Sequence, residues 1–323
     1  MGGDFAPDEI IKGSVEGAKI CNLDLVLAGN RDLIVNSAKK LQIDIENVKI
    51  INASENVLMD DSPSEVLKKK KNSSIYLGTQ AVFNNKNSAF LSAGNTGAVM
   101  ACALFNIKKI ECIHRPAIAV VIPLADKKFI LIDAGANADV KPVYLKQFAI
   151  MGNIYCREIF KIENPKVALL NVGSEEKKGN EVSIESYQMI KDSNLNFIGN
   201  IEGRDIFEGH ADVVVCDGFV GNILLKSIEG MASFFFEQIK EILFRNFATK
   251  ISALILRKYL KEMKNKFNYE QYGGALLLGV NGIVIISHGS SKALAIKNAV
   301  NLASESLKNK IIDKITNKLK EDK

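Results

Sequence analysis

The chain repeats one pattern: a short apolar run, a polar loop carrying glycine, then a stretch that is apolar at helical spacing. AFLSAG (89–94) runs into NTGAVMACALF (95–105), and KFILIDAGANADV (128–140) runs into YLKQFAIMGNIYCREIF (144–160). The unit returns in VALLNVGSEEKKGNE (167–181), ADVVVCDGFVGNILLKSIEG (211–230) and GIVIISHGSSKALAIKNAV (282–300). Short apolar runs bounded by turn residues predict buried strands, and the stretches after them predict helices. Strands alternating with helices define the α/β class, here a largely parallel sheet with helices on both faces. Ligands in such sheets sit beyond the carboxyl ends of the strands, so the five loops are expected to share one edge. Asn95 or Thr96 is placed to cap one helix, and Ser290 or Ser291 another.

Two segments break the pattern. MGGDFAP opens the chain as a loop, with Pro7 positioned to start the helix DEIIKGSVEGAK. From Ile223 to Tyr272 the only glycine is Gly230 and there is no proline. Apolar residues recur there at Phe235, Ile239, Ile242, Leu243 and Phe247, then at Ile251, Leu254, Ile255 and Tyr259. This predicts a protruding helical hairpin over 223–270, with Thr249 capping its second helix. Its charges are mostly basic: Lys240, Arg245, Lys250, Arg257, Lys258, Lys261, Lys264 and Lys266. Three readings stand, the first two compatible with one another: a dimer-packing element, a basic amphipathic surface lying on anionic lipid, or a set of lysines that meets an acidic partner. The uncharged run 271–291 is long enough to cross a bilayer, but its glycines, asparagine, Ser287 and His288 make it a loop, a strand and a second loop.

Composition narrows the class. The 323 residues are 47% apolar and 24% charged, with a net charge of +5, and read as a single two-lobed α/β unit over 1–323. There is no tryptophan and little interleaving of aromatic with basic residues, which disfavours nucleic acid as a partner. The five cysteines form no CxxC pair, as expected of a reduced, cytoplasmic chain, and no signal peptide precedes the first motif.

A glycine loop that opens a helix suits an anion, because glycines admit a ligand to the backbone and the helix N-terminus offers N–H groups and a favourable dipole. Ser92, Gly94, Asn95, Thr96 and Gly97 form the first candidate cradle, and Gly135 and Asn137 with Asp133 the second. His288, Gly289 and Ser290 offer amides and hydroxyls before another helix. Asp217 and Asn222 either orient a substrate or cap the helix after them. Lys178, Lys226, Arg115 and Lys141 are candidate cations, and Glu175 and Glu202 candidate carboxylates.

Eight stretches in order resemble one family: MGGDFAP, DSPSEVLKKKKNSS, SAGNTGAVMA, HRPAIAVVIP, DAGANADVKPVYLKQFA, LLNVGSEEKKGNE, FIGNIEGRDIFEGHADVVVCDGFVGNILLKSIEG and LLGVNGIVIISHGSS. They resemble the PlsX family, the phosphate acyltransferases of bacterial phospholipid synthesis. The resemblance implies a homodimer with a fold similar to the isocitrate and isopropylmalate dehydrogenases. It implies transfer of a long-chain acyl group from an acyl-ACP thioester to inorganic phosphate, with no cofactor and no metal. The acyl phosphate would pass to a membrane glycerol-phosphate acyltransferase, which places the protein in the cytoplasm at the inner face of an anionic membrane. Phosphate is then the nucleophile, and the protein must hold a dianion and stabilise an oxyanion and a leaving thiolate. Within the matched motifs His288, Lys178, Asp133 and Lys226 are the catalytic candidates, His288 as acid toward the thiolate. Gly2, Gly3, Asp4, Asn171 and Gly218 join the binding candidates.

The sequence departs from the family pattern in three places. The family begins with a strand ahead of MGGD, whereas this chain opens at Met1, so a late start or a missing first strand is expected. Phe5 stands where histidine is common, and Leu276 where proline is usual. Two other readings remain open: a phosphotransacetylase-like, CoA-dependent acyltransferase, and an inactive membrane-associated scaffold.

Overall fold

The computed structural model describes residues 1–266 and 269–322. Ten strands are described: β1 (Val26–Gly29), β2 (Lys49–Asn52), β3 (Ala89–Ser92), β4 (Ala117–Pro123), β5 (Lys128–Ile132), β6 (Lys166–Leu170), β7 (Asn196–Ile201), β8 (Val213–Val215), β9 (Ala275–Leu278) and β10 (Ile283–Ile286). Strands β1 and β2 pair in parallel, on a small core of Ile11, Leu27, Ile34 and Ala38. The other eight form one sheet in the order β3-β10-β9-β4-β5-β8-β6-β7.

The central strands of this sheet are apolar on both faces, and the structure shows why. Ile130 and Ile132 pack with Phe148, Met151, Leu302 and Ile315 on one side, while Phe129 and Leu131 pack with Val99, Cys102 and Val66 on the other. The first side is covered by α6 (Pro142–Phe160), α7 (Glu181–Lys191), α10 (Ala293–Lys308) and α11 (Ile311–Glu321). The second carries α3 (Pro63–Lys69), α4 (Ser74–Asn84), α5 (Thr96–Cys102) and the start of α8 (Gly218–Phe244). A strand covered on both faces has no polar side, so it reads as a continuous apolar run.

The sheet is parallel in two blocks that run in opposite directions. β10 pairs parallel with β3, and β5, β8, β6 and β7 are parallel to one another, but β10–β9, β9–β4 and β4–β5 are antiparallel. The five loops therefore do not share one edge, because β9 and β4 reverse the direction between the blocks. The register moderates this. Ile132 lies level with Ala119, Ala119 with Leu276, and Leu276 with Ile285, one residue short of the end of β10. Both sets of loops leave the sheet near mid-height, about 14 Å apart across three interstrand steps.

Other local expectations change. The run 271–291 holds two strands rather than one, β9 and β10, joined through Gly279 at φ +94°. Helix α10 takes no side-chain cap from its own flank; Glu9 of α1 (Asp8–Cys21) accepts the Ala293 N–H at 2.7 Å. Close approach of the two helices allows this, since a Cβ on Gly13 would lie 2.4 Å from the Ala293 carbonyl.

The hairpin consists of α8 and α9 (Phe247–Lys266). Residues 267 and 268 of the expected hairpin, and the side chains of Lys264 and Lys266, lie outside the described residues. Asn246, not Thr249, is the cap of α9: its Oδ1 accepts the Thr249 N–H at 3.0 Å while Thr249 Oγ1 accepts the Asn246 N–H at 3.1 Å. Only Gly218 and Gly221 of α8 are fully buried. Phe234, Phe235, Leu254 and Ile255 are all more than half exposed, at 55%, 56%, 71% and 72%.

Candidate active site

The first set of loops surrounds the carboxyl ends of β3 and β10. Asn95 caps α5 by accepting the Ala98 N–H at 2.9 Å, and its Nδ2 donates to the carbonyls of Leu58, Met59 and Asp61 at 3.1, 2.9 and 3.0 Å. Asp61 holds the same loop from below, accepting from Leu58 N at 2.7 Å and Lys70 Nζ at 2.5 Å. The Lys70 ammonium, with the Leu58 N–H, keeps its carboxyl below the usual range. Ser92 Oγ accepts the Gly94 N–H, and the Ser92 carbonyl accepts from Ser287 N at 2.8 Å, tying β3 to β10.

Backbone packs on backbone at Gly2 and Gly3, and on the tip of the Met59 side chain at Gly289. A Cβ on Gly2 would lie 2.8 Å from the Val57 carbonyl, one on Gly3 3.0 Å from that of Ala93, and one on Gly289 2.6 Å from Met59 Cε. Asp4 N donates to the Gly289 carbonyl at 2.9 Å. Thr96 is exposed at the mouth of the loop, and Asp4 and His288 are exposed beside it. His288 Nδ1 lies 2.7 Å from Ser290 Oγ and accepts the Ser290 N–H at 3.2 Å, which in the neutral ring leaves the proton on Nε2.

The second set lies at the ends of β5, β8 and β6. Asp133 is fully buried. Its Oδ1 accepts N–H groups from Ile118, Gly135 and Ala136, and its Oδ2 accepts both the backbone and side-chain N–H of Asn137. Burial pushes this carboxyl upward, opposed by these donors. With five donors on it, Asp133 pins the DAGAN loop and has no oxygen open to a ligand. Gly218 and Gly221 let α8 start against this loop: Gly218 N donates to the Asn137 carbonyl at 2.7 Å, and a Cβ on Gly221 would lie 1.9 Å from the Asp133 carbonyl. Asp217 caps α8 through Val220 N at 2.8 Å.

Asn222 is exposed next to Gly135, and Lys226 one turn further along α8 pairs with Glu229 at 2.9 Å. Arg115 and Lys141 are exposed near the same end. Asn171 braces the β6 loop by donating to the Lys178 carbonyl at 2.9 Å, and Lys178 Nζ lies 3.8 Å from Glu175. Glu202 is 3.4 Å from Arg204.

The candidates thus fall into two groups facing one another across β9 and β4. Half-buried apolar side chains from both groups meet on one core cluster, Leu67 and Met100 from the first, Leu224, Leu225 and Ile228 from the second. Burial pushes the Cys102 thiol up to about 11 and Cys216 well above its usual value, so neither offers a thiolate near neutral pH. Reading the sequence for chemistry missed Asp61, Lys70 and the 57–61 loop, whose part is visible only once Asn95 is seen to bind three of its carbonyls.

Sheet order, loops and hairpin define an α/β protein with the fold of the phosphotransacetylases. The phosphotransacetylase of Streptococcus pyogenes superposes with a TM-score of 0.65 at 18% identity, covering 94% of this chain and 91% of that one. The EutD phosphotransacetylase of Staphylococcus aureus gives 0.59 at 16%, covering 92% of each chain. Sequence carries the assignment further. The family described as "Fatty acid synthesis protein" matches residues 1–314. A protein named phosphate acyltransferase from Halothermothrix orenii is 47% identical over 325 residues, covering 100% of this chain and 97% of its own. Another of that name from Pelotomaculum thermopropionicum is 46% identical over 319 residues, covering 98% and 92%. The chain belongs to this family, and with it to the acyltransferases of lipid biosynthesis.

Proposed function

We propose that the protein transfers a long-chain acyl group from an acyl-ACP thioester to inorganic phosphate, releasing acyl phosphate for phospholipid synthesis and free acyl carrier protein. The observation that carries this reading is the backbone crowding of the 2–4, 92–97 and 288–291 loops. A Cβ on Gly2 or Gly3 would crowd backbone carbonyls of neighbouring loops, and glycine loops that open a helix suit a small anion. Phosphate oxygen attacks the thioester carbonyl carbon, and the tetrahedral oxyanion collapses with loss of the thiolate. The first set of loops holds the phosphate, and the Nε2 proton of His288 serves the departing sulfur. Lys226, Lys178 and Arg115 supply positive charge from the second set. Asp133 acts by shaping its loop. The apolar floor formed by Met100, Leu224 and Leu225 suits an acyl chain.

The hairpin extends the proposal. Its exposed phenylalanines and leucines cover one another in a homodimer, and the exposed Lys250, Arg257, Lys258 and Lys261 of α9 meet anionic lipid at the inner face of the membrane. Acyl phosphate is thereby released next to the membrane glycerol-phosphate acyltransferase that consumes it.

The deciding experiment incubates the protein with labelled phosphate and palmitoyl-ACP, with palmitoyl-CoA alongside. Acid-labile acyl phosphate from the ACP thioester is expected. Product from CoA alone replaces the donor, and no product from either overturns the reading. Reversing Arg257, Lys258 and Lys261 is expected to release the protein from anionic vesicles, and unchanged binding removes the lipid contact.

A further inference from the structure

The helix that begins at the first glycine loop ends in an unusual way. Past Cys102, α5 widens into a looser turn over 103–107, the kind of bulge that recurs at functional sites. Leu104 and Phe105 are exposed on it, at 37% and 56%. Lys108 then takes φ 67° and ψ 165°, a backbone region essentially confined to glycine. Its amide still donates to the Ala103 carbonyl at 3.0 Å, and its ammonium stands 6.0 Å from the ring of Phe83 on α4, itself half exposed. Tyr76, near the start of α4, packs its ring 6.3 Å from that of Phe105.

Basic residues frame these apolar side chains. Lys71 precedes the first turn of α4 and Lys86 follows its last, both exposed. Lys69 and Lys70 beside them bind Glu65 and Asp61, whereas Lys71, Lys86 and Lys108 have no ion pair among the described residues. The apolar centre is small and held on packed helices, unlike the long, exposed hairpin that suits a lipid surface.

We infer that the face formed by Phe83, Leu104, Phe105, Lys71, Lys86 and Lys108 docks an acidic carrier protein, its apolar centre taking an apolar helical face and its lysines the surrounding carboxylates. The inference rests on the acyl-carrier reading given above. Placement supports it. Phe105 lies nine residues beyond Thr96, about 13 Å along the helix axis, so a carrier seated there presents its acyl arm one helix length from the glycine loops.

The test compares the wild-type protein with the triple variant K71E/K86E/K108E, using palmitoyl-ACP and palmitoyl-N-acetylcysteamine, a thioester without a carrier. A rise of about tenfold or more in KM for palmitoyl-ACP is expected, with kcat at saturating carrier and kcat/KM for the small thioester unchanged. The wild-type KM should also climb with salt, and that of the variant much less. Lys108→Gly provides a second arm: it relaxes the backbone and is expected to melt higher by about 2 °C or more, yet still to raise KM for the carrier. An unchanged KM in the triple variant overturns the docking site. So does loss of anionic-vesicle binding with carrier kinetics intact, which would assign this face to the membrane. Failure of the wild-type protein to use palmitoyl-ACP at all overturns the function instead, so the two failures are distinguishable.

Discussion

The side-chain amide of Asn95 ties Met59 to the first turn of α5: its Nδ2 donates to the Met59 carbonyl at 2.9 Å while its Oδ1 caps the helix at Ala98 N, also at 2.9 Å. One residue thus shapes both the helix terminus and the loop packed beside Gly289.

Asn95→Ala removes cap and tie together. We expect a loss of about 2 kcal/mol, read as a lower Tm, and a higher KM for phosphate. Asn95→Asp keeps the cap acceptor but cannot donate, so it should recover part of the stability and leave the phosphate KM raised. Equal KM values in the wild-type protein and both variants would show that the loop tie plays no part in binding.

Glycines differ in the room around them, and Gly221 beside Asp133 has very little. Gly221→Ala would place a carbon 1.9 Å from the Asp133 carbonyl, and a loss of about 3 kcal/mol is expected in chemical denaturation. Gly203→Ala meets nothing within 4 Å and should be near neutral. Gly230→Ala, also in open space but inside α8, should stabilise by about 1 kcal/mol.

The Asp61 carboxyl is held below its ordinary range by Lys70 and the Leu58 N–H. A carboxyl lowered in the folded state contributes stability that is fully present above its unfolded value, near 4, and is lost as pH falls through the folded value. Between pH 5 and 8 that contribution is present in full and constant, so melting curves should show no pH dependence from this group. Below about pH 4 the wild-type protein should lose stability more steeply than Asp61→Asn.

Asn246 and Thr249 cap α9 reciprocally, so Asn246→Ala should cost about 1 kcal/mol, localised to that helix. Faster amide exchange over 247–252 with an unchanged core would establish it, whereas uniform acceleration would not.

How far the sequence reveals these features depends on their range. The buried strands around Phe129–Ile132 were legible because both faces are covered, which leaves an uninterrupted apolar run. Asn95 was legible as a cap because its partner is three residues away. By contrast, ALLL (275–278) is flanked by Gly273, Gly274 and Gly279 and reads as loop; it becomes a strand only through its pairing with β4 and β10. Glu9 capping α10 spans 284 positions, beyond any local pattern. Strand direction is invisible in an apolar run, so the reversal at β9 and β4, which separates the two groups of site residues, had no local signal. Asp133 stood out as a charge in a glycine loop, but its five donors come from folding.

The pairing of β4 with β9 spans only Ala117–Ala119 and Leu276–Leu278, and it is the seam across which the two loop groups face one another. Each group is anchored in its own parallel block, and the distance between them is set through this pairing, where Ile118 also donates its N–H to Asp133 Oδ1. Ala117 and Ala119 are fully buried there, and alanine is the narrowest side chain a strand can carry at such a joint. The spacing of the two loop groups is therefore gauged in the spine of the molecule, and enlarging Ala119 would alter it without substituting any residue of either group.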